Sequence, residues 1–279
     1  MFTLSTVFAK NTSCINGGSF SPFFLAFRAI RFKAEFSNPS GSSMDRVALA
    51  WIEDNLARRQ LRTNDTVICP YGVNRNWSLL QLCPCYHLHS LHLIPKNCPS
   101  LYKNYIKYWG GKIREVPSSF KRINYLSQAQ RLEREHEDYR VLDSYYQYQS
   151  LFEDRIHENV VTHLKTIITP IGFDYALPGI NFFAQVNPTM NVIGVRLEDE
   201  FLAEPCYDQL KKIIRISDKD ASSMAIKFRK ECGYPIGTHS GAVLAATKAI
   251  TKDSSFGGEI IRILPDNTEH SRIQKDLHF

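Results

Sequence analysis

The chain has 279 residues, 43% of them hydrophobic and 22% charged, with a formal net charge of +6. This length suits one large α/β unit or two lobes sharing a core, and the apolar fraction excludes a disordered or fibrous chain. The positive excess is spread over pairs such as Arg58-Arg59 and Lys211-Lys212 with no long basic block, so it reads as solvated surface and no nucleic-acid partner is expected. Seven cysteines, an odd count with no C-x-x-C pair, fit a reduced intracellular protein better than a disulfide framework. No run approaches the ~20 apolar residues that span a bilayer, so no membrane role is expected. The first ten residues lack a basic segment followed by a long apolar one, which argues against a secretory signal. A cytoplasmic location is expected, with a mitochondrial presequence left open because no acid precedes Glu35.

Taken in order, short apolar runs alternate with longer helical patterns, which predicts α/β organisation. Residues 24–36 read as strand material. Asp45 to Gln60 reads as a helix, with Val47, Leu49, Ala50, Trp51 and Leu56 apolar and Glu53, Asp54, Arg58 and Arg59 elsewhere. Thr66–Cys69 and Leu91–Ile94 are buried strands, each stopped by a proline. Tyr102 to Trp109 is a short helix closed by Gly110-Gly111. Residues 118–150 read as helix with polar connections, and the run Arg131 to Asp138 as a solvated face with i,i+4 pairs. Strands follow at Thr166–Thr169 and Val192–Val195. A helix is predicted from Asp218 to Cys232, with Ser217 as N-cap and Gly233 just past its end. An Ala-rich helix spans Gly241 to Ile250, and a last strand spans Ile260–Leu264.

The most informative stretch is Asn38-Pro39-Ser40-Gly41-Ser42-Ser43-Met44-Asp45-Arg46, preceded by Lys33-Ala34-Glu35-Phe36-Ser37. It resembles the cysteine synthase and cystathionine β-synthase family, whose signature reads N-P-x-G-S-x-K-D-R after K-L-E-x-x. Further matches are Thr66-Val67-Ile68-Cys69-Pro70, Gly194-Val195, Ser240-Gly241-Ala242 (family S-S-G-A) and Ile263-Leu264-Pro265-Asp266 (family I-L-P-D). The resemblance runs from about Phe24 to Ser271. It implies the two-lobed α/β architecture of the fold type II pyridoxal phosphate (PLP) enzymes, like that of the tryptophan synthase β chain, with a mostly parallel sheet flanked by helices in each lobe. The larger lobe would take residues 1–40 and 145–279 and the smaller one 41–144, with the cofactor cleft between them. Dimerisation is implied too, with itself or with an active relative.

The departures from the pattern bear on function. Met44 stands where the resemblance places the Schiff-base lysine, and a thioether cannot condense with an aldehyde or shuttle a proton. The family's asparagine loop, T-S-G-N-T-G, is here Tyr71-Gly72-Val73-Asn74-Arg75-Asn76. Asn74 matches the asparagine facing the cofactor's ring hydroxyl, and Arg75 could attract an anion from a different geometry. The phosphate cup, G-T-G-G-T, is here Gly172-Phe173-Asp174-Tyr175-Ala176. Gly172 matches, but Asp174 sets a negative charge where the phosphate dianion belongs, and aromatic rings would fill the space. Ser240 matches the serine aimed at the pyridine nitrogen, with His239 as an altered neighbour. A segment lining the cleft is also shortened between Gly194-Val195 and Ser217.

These residues imply a cysteine synthase-like pseudoenzyme of amino-acid metabolism that lacks a cofactor and binds a small anionic ligand or a protein partner. Arg75, Asp174 and His239 are the candidate ligand contacts. The alternative is a divergent enzyme for β-replacement on O-acetylserine or serine, using non-covalent PLP or a displaced lysine such as Lys33. The cluster Cys83, Cys85, His87, His89 and His92 has zinc-ligand chemistry. The resemblance implies that Cys83 and Cys85 lie at a helix end and His92 in the next strand, so the ligands would diverge and no metal is expected. Tyr145-Tyr146-Gln147-Tyr148 falls where the family lines its cleft, though buried packing is the simpler use. No C-terminal regulatory domain is expected after the I-L-P-D strand.

Overall fold

A computed structural model of the chain describes residues 14–16, 30–70, 73–119, 122–142, 164–171, 189–198, 210–250 and 259–267. It divides into two compact units. One spans Met44–Tyr148, and the other takes Ala9–Ser43 together with Gln149–Arg272.

The first unit carries helices α1 (Met44–Ala57), α2 (Val73–Cys85), α3 (Ser100–Tyr108) and α4 (Arg122–Glu135) around a four-stranded parallel sheet. Its strands β3 (Thr66–Cys69), β4 (His89–Pro95), β5 (Lys112–Val116) and β6 (Tyr139–Val141) lie in the order β5-β4-β3-β6. Strand side chains alternate between faces, and that alternation sorts the core. Val67 and Cys69 pack with Trp51, Ile52, Leu79 and Leu82 from α1 and α2. Ile68, Leu91 and Leu93 pack with Tyr125 and Leu132 of α4 on the opposite face. Ile94 joins Leu80, Tyr102 and Ile106 beneath α3. Strands covered on both sides in this way read as unbroken apolar runs. Helix α3 ends at Gly110, whose φ of +80° is in the left-handed region, and the Gly111 N–H donates to the Ile106 carbonyl at 2.9 Å.

The second unit has strands β1 (Cys14–Asn16), β2 (Ile30–Ala34), β7 (Leu164–Pro170), β8 (Asn191–Leu197), β9 (Lys212–Ile216) and β10 (Glu259–Leu264). They form one sheet in the order β1-β2-β10-β7-β8-β9, parallel throughout except for the antiparallel β1–β2 pair. Helices α5 (Asp218–Cys232) and α6 (Thr238–Ile250) cover one face, where Phe32, Ile168, Ile193, Val195 and Leu264 meet Met224, Phe228, Val243 and Ala246. Both predicted ends of α5 are present. The Ser217 hydroxyl accepts from the Asp220 N–H at 3.1 Å, and Gly233 closes the helix at φ +78°. Acids in its first turn and bases in its last complement the helix dipole.

Pro84 sits in the last turn of α2, where it removes one intrahelical N–H just before the helix ends at Cys85. Where the strand before the motif was predicted to run to Phe36, β2 ends at Ala34 and a single turn of 3-10 helix follows at Glu35–Ser37. Residues 24–29 of that prediction lie outside the described residues.

Gly241 is where α6 crosses α5. A Cβ built there would lie 2.1 Å from the Ala221 carbonyl oxygen, a backbone atom that cannot step aside. Overpacking of this kind costs about 1–3 kcal/mol. Gly241→Val is expected to destabilise the chain by at least the upper part of that range in urea unfolding. An unchanged midpoint would show that the helices are free to separate.

Candidate functional site

Three segments of the second unit are knitted together by the end of β10. The motif loop, residues 38–43, bonds to it through Ser43 N–H to Pro265 O (3.0 Å) and Asn267 N–H to Gly41 O (3.0 Å). The turn before α6 does the same through Gly237 N–H to Asp266 O at 2.8 Å. Gly41 and Gly237 allow this close approach: an added Cβ would strike the Asn267 amide at the first and Asp266 at the second, and Gly41 has φ +78°.

The Asp266 carboxylate sits at the start of α6, where the helix leaves backbone N–H groups without internal acceptors. It accepts from Ser240 N–H at 2.8 Å and His239 N–H at 3.2 Å. The Ser240 hydroxyl donates to Oδ1 at 2.7 Å and accepts from the Asp266 N–H at 3.2 Å. The His239 ring Nδ1 lies 3.3 Å from Oδ2, an ion pair when the imidazole is protonated. All three residues are buried. Burial drives the Asp266 carboxyl up, but the His239 ring and the Ser240 donors outweigh it and hold it below its ordinary value. The carboxyl is therefore ionised at neutral pH.

Met44 opens α1 and is 2% exposed. Asp45, in the same first turn, accepts a 2.5 Å bond from the Ser78 hydroxyl, which ties α1 to α2. Lys33 is also buried, 3.1 Å from Glu35, and the Asn38 side-chain amide donates to the same carboxylate at 2.6 Å. Lys33 thus works inside a polar cluster that shapes the entry to the motif loop. Asn74 and Arg75 fall in the first turn of α2. Their side chains, together with Gly172, Asp174 and Tyr145 to Tyr148, lie outside the described residues. Among the described residues no three His, Cys, Asp or Glu side chains are grouped to hold a metal ion. Cys83 is buried in α2, and burial pushes its thiol up. His92 on β4 bonds to Ser90 at 3.0 Å and is pushed down to about 3 by burial, so it is neutral.

The sequence reading named Asp266 only as part of the I-L-P-D match and did not see it as the hub of the site. The signal was present: an acid directly after a buried strand and proline, in a chain with a histidine and serine opening the preceding helix. Arg262 was also missed. It interrupts the apolar strand Ile260–Leu264, is buried, and donates to Thr247 Oγ1 and the Ile260 carbonyl, with burial pushing its guanidinium down to about 9.

Covalently held PLP requires an amine at the motif and a free partner for its ring nitrogen. Met44 offers no amine, and the Ser240 hydroxyl already directs its proton to Asp266. These residues do not fit a covalently held pyridoxal group.

The fold is that of the fold type II PLP enzymes. The O-acetylserine-dependent cystathionine β-synthase of Helicobacter pylori matches with a TM-score of 0.77 at 17% identity, over 97% of both chains. A lysine-to-alanine mutant of O-ureido-L-serine synthase, with O-ureido-L-serine bound, matches with a TM-score of 0.73 at 18% identity, over 88% of this chain and 86% of that one. Homologues at low identity are cysteine synthases and cystathionine β-synthases. The cysteine synthase of Staphylococcus aureus, for example, is 22% identical over 268 residues, 85% of each chain. No family model matches the chain. Among the described residues no helix is long and apolar enough to cross a membrane.

Because the folded Asp266 lies below the unfolded carboxyl value of about 3.9, its stabilisation is complete above that pH and is lost as pH falls through the folded value. Asp266→Asn is expected to cost about 2 kcal/mol at neutral pH, since it weakens charge-assisted bonds in a buried site. Urea unfolding between neutral and strongly acidic pH should show the wild type converging on the variant. Parallel curves would remove Asp266 as the acid-sensitive group.

Proposed function

We propose that this chain is a cysteine synthase-like protein that has lost Schiff-base chemistry and retains an amino-acid-binding role. Met44 carries the proposal: the residue at the motif's lysine position is a buried thioether at the start of α1. Lys33 does not replace it simply, because its ammonium is held by Glu35. The O-ureido-L-serine synthase mutant supports retained binding, since a chain of this fold with a lysine replaced by alanine holds O-ureido-L-serine. By analogy the ligand class here is a β-substituted alanine such as serine or O-acetylserine, with Arg75, Asp174 and His239 as candidate contacts. Asn74, Gly172 and Ser240 are then remnants of cofactor contacts. The protein acts in the cytoplasm, as a homodimer or paired with an active relative. A second reading is a β-replacement enzyme that uses non-covalent PLP or a displaced lysine. It draws on the relatives, which are named as enzymes and align over 85% of this chain.

The two readings separate in one experiment on the purified full-length chain. PLP is added, the mixture is reduced with borohydride, and peptides are mapped by mass; thermal shifts with L-serine and O-acetyl-L-serine are recorded in parallel. The expected result is no stoichiometric adduct on any lysine, with a raised melting temperature from at least one amino acid. A stoichiometric adduct, or sulfide-dependent β-replacement that Lys33→Ala abolishes, would establish the enzyme instead.

A further inference from the structure

In the second unit, the sheet face beneath α6 holds a charge among apolar neighbours. Ile260 and Leu264 of β10 pack into the core there. Arg262 lies between them, on the same face by strand alternation, and is 1% exposed. Its partners across the sheet, Phe32 on β2 and Ile168 on β7, are apolar. Arg262 Nε donates to Thr247 Oγ1 at 3.1 Å and Nη1 to the Ile260 carbonyl at 2.8 Å. A guanidinium has five N–H donors, so these two bonds do not exhaust it. Among the described residues no carboxylate pairs with Arg262, and burial alone pushes it down, to about 9, so it stays charged at neutral pH. A charge taken out of water is costly unless a counter-charge meets it.

The bond to Ile260 shows which way the side chain runs. It turns back along β10 toward the start of the strand, and there Thr166 of β7 is the register partner of Ile260. Thr166 shares the face of Ile168, beneath α6. It is fully buried, and its hydroxyl has no hydrogen-bond partner. The ladder also slips at this point. Glu259 faces Leu164 but Ile260 faces Thr166, which makes Lys165 an extra residue. Bulges of this kind disrupt pairing locally and recur beside functional sites. The last turn of α6 brings Thr247 here, and a helix C-terminus carries about half a negative charge. That offsets the guanidinium only in part, and the bond from Arg262 to α6 goes to a side-chain hydroxyl.

We propose that Arg262 and Thr166 bind a small oxyanion, a phosphate or carboxylate group, beneath the last turn of α6. The planar guanidinium offers N–H groups in the fork that matches two oxygens of such a group, and the Thr166 hydroxyl donates to one of them. Thr247 acts as a positioning residue. Its hydroxyl gives its proton to the Val243 carbonyl at 2.9 Å and accepts from Arg262 Nε, which fixes the plane of the fork. Thr247 and Ser240 lie two turns apart on α6, about 10 Å along the helix. The oxyanion site is therefore distinct from the Asp266 cluster and does not depend on what the candidate site binds.

The test is thermal unfolding of the full chain in sodium phosphate, sodium acetate and sodium chloride at matched ionic strength, with calorimetric titration of each anion. Arg262→Met and Thr166→Val are measured alongside the wild type. Phosphate or acetate is expected to raise the wild-type melting temperature saturably, by about 3 °C over chloride. A response to phosphate alone assigns the site to phosphate groups, and a response to acetate assigns it to carboxylates. In Arg262→Met the response should vanish. That variant in chloride should be at least as stable as the wild type, because an apolar side chain of similar length replaces an uncompensated charge. Thr166→Val keeps the shape of the side chain and should raise Kd about fivefold. Equal responses in the wild type and Arg262→Met would be a general salt effect and would overturn the proposal. No response in the wild type would mean that the chain meets the charge itself, by the helix end or by a carboxylate of its own, and would overturn it too. If Arg262→Met does not fold, Thr166→Val decides: unchanged affinity there rejects the site.

Discussion

A buried carboxylate at the mouth of a helix organises the second unit. Asp266 follows the strand β10 and meets two of the N–H groups that α6 cannot satisfy internally, so charge and helix dipole offset one another away from water. The backbone on either side of that carboxylate then accepts the motif loop and the turn before α6. Remove the charge and α6 loses the acceptor that ties its start to this strand end. Neither a strand end nor a loop of serines and glycines would hold its shape alone, because such sequences have little side-chain surface to bury.

This anchoring bears on how a catalytic lysine position can change residue without loss of the fold. The loop leading to Met44 is fixed by backbone bonds to Pro265 and Asn267, neither of which needs the side chain at position 44. The thioether is apolar and flexible, the kind of group that fills an irregular buried space. An unpaired ammonium in the same buried place would need a partner or a shifted proton affinity. A methionine there is therefore compatible with the scaffold as it stands.

The sequence reading was most reliable where local chemistry and tertiary need coincide. Helix α5 was bounded correctly because Ser217 and Gly233 are terminal signals in themselves. Strand β3 was visible because burial on both faces demands a continuous apolar run, and β10 because its isoleucines flank the one interruption at Arg262. Strand β5 was passed over. Lys112, Arg114 and Glu115 give an edge strand the composition of a loop, and pairing with β4 decides the matter. Strand β9 was missed for the same reason, since Lys212 and Arg215 interrupt its isoleucines at the other sheet's edge. Within the site, Ser240 and His239 were marked, but their shared dependence on Asp266 was not. A bond across 26 residues of chain leaves no trace in spacing or periodicity. Glu35 was likewise read as part of a motif, while its pairing with Lys33 and Asn38 belongs to the folded chain.

The strand order has a consequence for how this protein is made. The described strands and helices of the first unit come from one unbroken stretch of chain, so it can gather its core while later residues are still being synthesised. The second unit cannot. Its strand β2 lies inside the sheet, and its parallel neighbour is β10, with Ile30 opposite Ile260. As β2 leaves the ribosome it finds only the antiparallel partner β1, and its other edge stays open until almost the whole chain has emerged. An open edge is a template for pairing with foreign strands. For this chain the interval of greatest exposure to misassembly, and of greatest value for a chaperone, falls between the emergence of the motif loop and the emergence of Asp266, which locks that loop in place.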